Sequence, residues 1–177
     1  MHFPLLAIVL TLGAHQTLAK PHKTIPTAHD IITALNLTPN VEKGYYTETY
    51  ASSITLPANN GTNTARSLST AIYYLLEGRD DFSHWHRVDA PEIWHHYAGA
   101  SMIMELSWDN GTEIEQRRLG KDILAGERPQ IVVGEWQWQR AKSLGDWTLV
   151  GTTMAPGFSE EGFEMPGEGW VPDGGMG

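Results

Sequence analysis

The chain has 177 residues, a formal net charge of −9, 41% hydrophobic residues and no cysteine. A chain of that length fits one domain that buries about two-thirds of its unfolded surface, so it needs neither disulfides nor a structural metal to fold. The acidic balance excludes nucleic acid as an expected partner, because a phosphate backbone calls for a basic face.

Residues 1–19 read as a secretory signal peptide: an apolar run from Pro4 to Leu10, continuing weakly to Leu12, then the small residues of Thr17-Leu18-Ala19. The run is too short to span a bilayer, and no later segment is apolar enough for a membrane span. Its n-region lacks Lys and Arg. A secreted location is expected, with residues 20–27 a polar, mobile leader. Thr27 then caps a helix carrying Ile31, Ile32, Leu35 and Leu37 at helical spacing, with Pro39 expected to end it.

The remainder reads as strands. Gly44 to Tyr50 is aromatic and β-branched, Asn59-Asn60-Gly61 turns the chain, and Ser67 to Leu76 forms a long strand. The histidine-rich strand and a Glu92 strand follow. Met102 to Trp108 and Thr112 to Leu119 flank Asp109-Asn110-Gly111, a hairpin signal, with Met102, Met104 and Leu106 alternating as core. Gln130 to Val133, Gln137 to Ala141 and Trp147 to Thr153 complete a sandwich or closed barrel. Residues 164–177, rich in Gly and Pro, read as a disordered tail. Asn36, Asn60 and Asn110 are N-glycosylation acceptors by sequence, with Pro39 weakening the first.

The stretch His84-Trp85-His86-Arg87-Val88-Asp89-Ala90-Pro91-Glu92 carries the chemistry. Side chains two apart on a strand share a face, so His84 and His86 point together, and the next strand brings Glu92 beside them. That is a layout for a first-row metal held by His84, His86 and Glu92, or for acid–base work without one. Of His95 and His96, strand alternation sends one inward and one outward; parity with Glu92 favours His96. Trp136 and Trp138 share a face, either as a stacking platform or as packing. Arg66, Arg87 and Glu48 are candidates to line a pocket.

Several ordered blocks resemble the cupin superfamily, and within it a subgroup of uncharacterised function. They are Glu42 to Tyr50; Arg66 with Ser69 to Leu76; Trp85 to Asp89; Glu92 to His95 with Gly99; Trp138-Gln139; Trp147 to Gly151; and Ala155 to Phe158. The resemblance implies an all-β double-stranded β-helix, or jelly-roll barrel, over residues 28–163, which include the short N-terminal helix. It also implies a homodimer and a small-molecule ligand inside the barrel. Family position favours His95 over His96 as the inward residue. Gln139 stands where metal-binding cupins have a ligating histidine, and the His86-to-Glu92 spacing is longer than theirs. No cofactor is therefore expected, with Mn, Fe, Ni or Zn as the alternative.

Three functions follow from the resemblance. The first is non-redox isomerase-, epimerase- or cyclase-like chemistry, with His86 as base, Glu92 as its partner or acid, and Gln139 as oxyanion donor. The second is a non-catalytic small-molecule or sugar-binding cupin. The third is a metal-dependent oxygenase-type cupin.

Overall fold

The computed structural model describes residues 25–57 and 65–174. The signal peptide, most of the leader and Asn60 lie outside the described residues. Among the described residues the one α-helix, α1 (Ala28–Leu35), starts where the sequence places it. The Thr27 hydroxyl accepts from Asp30 N, while the Thr27 N–H donates to the Asp30 carboxylate at 2.8 Å, so two orphan donors are satisfied reciprocally. The helix stops at Asn36, whose left-handed backbone (φ 54°) turns its N–H back to the Ile32 and Thr33 carbonyls. Asn36, and not Pro39, is the terminator.

The strands are β1 (Thr38–Pro39), β2 (Tyr45–Ala51), β3 (Thr55–Leu56), β4 (Arg66–Ser67), β5 (Thr70–Glu77), β6 (Arg87–Val88) and β7 (Glu92–Gly99). They continue as β8 (Met102–Ser107), β9 (Glu115–Leu119), β10 (Gln130–Val133), β11 (Trp138–Ser143), β12 (Trp147–Met154) and β13 (Phe163–Glu164). A six-stranded sheet runs β1-β2-β5-β12-β7-β10, and β11-β8-β9 faces it. The antiparallel bridge His86↔Gln139 joins β6, with β13 on its far side, to the edge of β11. The result is an all-β jelly roll. Among the described residues, no helix is long and apolar enough to cross a membrane.

Period-2 alternation sets the core. Met102, Met104 and Leu106 point from β8 into the space between the sheets, meeting Tyr74, Leu76, Trp94 and Val150. Each such side chain contributes about 1.5–3 kcal/mol of transfer free energy. Leu75, adjacent to Leu76, is equally buried because α1 covers the outer face of β5 through Ile31, Ile32 and Leu35.

Four sequence expectations need correction. The long strand Ser67–Leu76 is broken between β4 and β5, and the histidine strand is regular only at Arg87–Val88. The leader is fixed at its end, where the Trp147 indole donates to the Pro26 carbonyl at 3.0 Å. The tail read as disordered is folded through Gly174. β13 pairs with β6, Glu164 meets Arg87 at 2.6 Å, and the Trp170 ring lies 4.4 Å from that of Trp138. Two aromatic anchors, Phe163 and Trp170, outweigh the glycines and prolines around them.

Candidate functional site

A cavity of about 720 Å³ lies inside the barrel, walled by β2, β5, β7 and β12 and closed on one side by Phe158, Glu160 and Phe163. His86 and Glu92 both line it.

His86 is 3% exposed and its ring is oriented by the backbone. Nδ1 lies 3.0 Å from the His84 carbonyl, which can only accept, so Nδ1 carries a proton and Nε2 is the atom presented to the cavity. Nε2 sits 3.5 Å from the Glu42 carboxylate. Phe163 covers the ring at a centroid distance of 5.9 Å.

Glu42 reaches this place through a turn. Lys43 and Gly44 both have positive φ (79° and 67°), and a Cβ on Gly44 would lie 2.4 Å from the Leu75 carbonyl. Glycine is therefore required there. The turn is pinned by Lys43 Nζ donating to the Phe82 carbonyl, Tyr74 Oη donating to the Lys43 carbonyl, and His84 N–H donating to the Glu42 carbonyl. Burial pushes the Glu42 carboxyl above the usual carboxylate range; His86 pulls it down, and Glu92 adds a smaller upward push. A carboxyl biased toward its neutral form thus stands beside the imidazole Nε2.

Glu92 belongs to a closed network. Its Oε2 accepts from Gln139 Nε2 at 2.7 Å and from the Trp94 indole at 3.1 Å, and the same indole donates to Gln139 Oε1 at 3.0 Å. Gln139 is fully buried and stands behind Glu92, outside the cavity lining. Its Nε2 donates to the Glu92 carboxylate and it does not line the cavity, so the expected role as oxyanion donor is corrected: Gln139 orients Glu92. Both hydrogen bonds fall on Oε2, which leaves Oε1 as the oxygen able to meet a ligand.

The remaining candidates sit elsewhere. His84 contributes its carbonyl to His86 and is not a lining residue, because the chain before His86 is not in a regular strand and alternation does not apply. Neither member of the second pair lines the cavity. His95 stacks on Tyr97 on the outer face (ring planes 15° apart), while His96 Nε2 donates to the Ala100 carbonyl at 3.0 Å. His96 keeps the parity of Glu92 and Trp94, and the register shift opposite Leu149 and Val150 follows it in β7. Arg87 covers Trp136 and Trp138 with its guanidinium 5.3 and 4.5 Å from their rings, so those rings pack within the chain. Of the three charged candidates, Glu48 lines the cavity; Arg66 instead binds Asp89 and the Gly157 carbonyl.

The alternative metal set of His84, His86 and Glu92 is not assembled among the described residues. Among the described residues, no three His, Cys, Asp or Glu side chains are grouped as metal ligands. An indole donor also occupies Glu92 Oε2 and Gln139 Oε1, and a neutral amide is a poor transition-metal ligand. The residues present do not fit the metal.

Two facing antiparallel sheets around an internal pocket define a cupin-type jelly roll. The chain belongs to the family described as Cupin superfamily (DUF985), whose model matches residues 29–166. It is similar to protein SO0799 from Shewanella oneidensis, with 33% identity over 80% of this chain and 85% of that one, and a TM-score of 0.71. A hypothetical protein from Leishmania major is 24% identical over 78% of this chain and 86% of its own, at a TM-score of 0.70. Oxalate decarboxylase from Bacillus subtilis shares the fold alone, at 14% identity, 74% of this chain, 30% of that chain and a TM-score of 0.50. No curated protein matches the sequence.

Proposed function

We propose that this is a secreted cupin whose pocket takes a small organic molecule and moves a proton beside a carbonyl, in isomerase- or epimerase-like chemistry without redox. The observation that carries the reading is the orientation of His86. Its Nδ1 proton is fixed on the His84 carbonyl, and its Nε2 faces the cavity beside Glu42.

In this reading Nε2 removes a proton from the carbon next to a carbonyl, and the enolate oxygen that forms accepts a hydrogen bond from the neutral Glu42 carboxyl. Return of the proton from Nε2 completes the turn. Glu92 Oε1 orients the ligand, and Gln139 and Trp94 hold Glu92. The test is deuterium uptake from D2O, followed by NMR, across a panel of hydroxyketones and aldoses. Wild type should exchange the proton of a bound member and His86→Ala should not. Exchange undiminished in His86→Ala would overturn the base role. Binding without exchange would favour a non-catalytic binding protein, a reading supported by the saturation of Glu92 Oε2 within the fold.

The apolar run at residues 4–12 supports secretion, and native protein should begin near Lys20; an intact Met1 on N-terminal sequencing would count against it. Asn110 stands exposed in the β8–β9 turn and is the sequon for which glycosidase sensitivity is expected. A homodimer is supported by the uncharged outer strip of Ile93, His95, Tyr97 and Val132 on a chain of net charge −9, and light scattering decides it.

A further inference from the structure

The acidic side chains around the cavity are Glu42, which burial biases toward its neutral form, and the carboxylates Glu48, Glu92 and Glu160; among the described residues no Lys or Arg lines it. The chain holds 12 Lys and Arg against 21 Asp and Glu, so basic residues are not scarce; they are kept out of this space. Those nearest in the fold are engaged outward. Lys43 Nζ turns to the Phe82 carbonyl, Arg66 to Asp89 and Gly157, and Arg87 to Glu164.

The walls between the carboxylates are aromatic: Tyr46, Tyr74, Trp94, Phe158 and Phe163. Tyr46 and Glu48 lie on the inward face of β2, opposite Tyr74 and Ile72, so carboxylate and ring alternate around one volume. Carboxylates in a partly dehydrated cavity repel an anion strongly and attract a cation, and aromatic faces add a cation–π attraction for an ammonium with an apolar body.

Resting on the reading of this cavity as a small-molecule site, we infer that its ligand is an organic cation, a small amine or quaternary ammonium with an apolar or aromatic body, and not a carboxylate or phosphate ester. Glu48 and Glu160, exposed at the mouth, attract the cation; Glu92 Oε1 and the rings receive it deeper. At the mouth no cationic side chain is available to hold a phosphate or carboxylate.

The experiment uses three probes of matched size, 2-phenylethylamine, 2-phenylethanol and phenylacetate, titrated calorimetrically into the full chain at two salt concentrations. The amine should bind at least tenfold more tightly than the alcohol and weaken as salt rises, with phenylacetate the weakest. Glu48→Gln/Glu160→Gln, changed only at exposed positions, should lower amine affinity about tenfold and leave the alcohol unchanged. Phenylacetate binding as tightly as the amine, or amine and alcohol binding equally, would overturn the charge inference and leave the pocket reading standing. No probe binding even at millimolar concentration would overturn both. Unaltered amine affinity in the double variant would remove the role of the mouth carboxylates.

Discussion

Arg66→Met tests how the pocket wall is held. The guanidinium donates to Asp89 Oδ2 at 2.7 Å and to the Gly157 carbonyl through Nε at 2.8 Å, with a further, longer contact to the Pro156 carbonyl. The two side chains are only 10% and 13% exposed, and Asp89 Oδ1 has no hydrogen-bond partner among the described residues. Methionine keeps the apolar stem and strands the carboxylate. Removing one partner of a fully buried pair costs about 3–5 kcal/mol; residual water access at this site reduces the expected loss to about 2–3 kcal/mol. In a domain of this size that lowers Tm by roughly 5–10 °C. Urea and thermal unfolding of Arg66→Met, Asp89→Asn and the double variant form the cycle. The double variant should lose less than the sum of the singles, because the stranded charge is then gone. Additive losses, or a single-variant loss within about 0.5 kcal/mol of zero, would refute the reasoning. The segment that Arg66 grips leads directly to Phe158, Glu160 and Phe163, so ligand affinity should fall with stability.

Glu42→Gln should raise stability at neutral pH. A carboxyl whose folded pKa is raised binds its proton more tightly when folded, so wild-type stability falls as pH rises from the ordinary carboxyl range through the raised value. Calorimetric Tm for the two proteins should agree near pH 4 and diverge above it; a pH-independent difference would remove the explanation. Gln139→Leu should cost about 1–3 kcal/mol in urea denaturation, since Glu92 Oε2 loses its shorter hydrogen bond while remaining buried. Gly44→Ala should cost about 2 kcal/mol or more, from the positive φ and the close Leu75 carbonyl, with loss of ligand binding as Glu42 is displaced. Trp170→Ala should leave the barrel folded but expose residues 165–174 to limited proteolysis; unchanged cleavage would show that Trp170 does not anchor the tail.

The jelly roll was legible because its strands declare themselves locally. Met102, Met104 and Leu106 alternate, Asp109-Asn110-Gly111 marks the hairpin, and Gln130 to Val133 forms a strand at the expected residues. His86 and Glu92 were legible from their order, and Gln139 from its block. Glu42 was not identified as a site residue. It arrives from a turn far away in sequence, where periodicity says nothing; the signals were its place at the head of the Glu42–Tyr50 block and the glycine directly after Glu42-Lys43, at a backbone that needs positive φ. His84 misled because alternation holds only inside a regular ladder, and the chain enters that ladder at His86. Trp170 was hidden by composition: one aromatic anchor, packed on Trp138 and Trp85, decides the path of a segment whose average character is that of a linker.

The bridge between His86 and Gln139 gives the site a built-in caliper. The Gln139 backbone pairs with His86, and its side-chain amide grips Glu92, so a single residue sets the gap between the imidazole and the carboxylate. Shortening that arm by one methylene, as in Gln139→Asn, changes the gap by roughly 1.5 Å without touching either end. The mouth carboxylates, Glu48 and Glu160, lie outside this measure. A change at the mouth therefore alters what enters without moving the gap between His86 and Glu92.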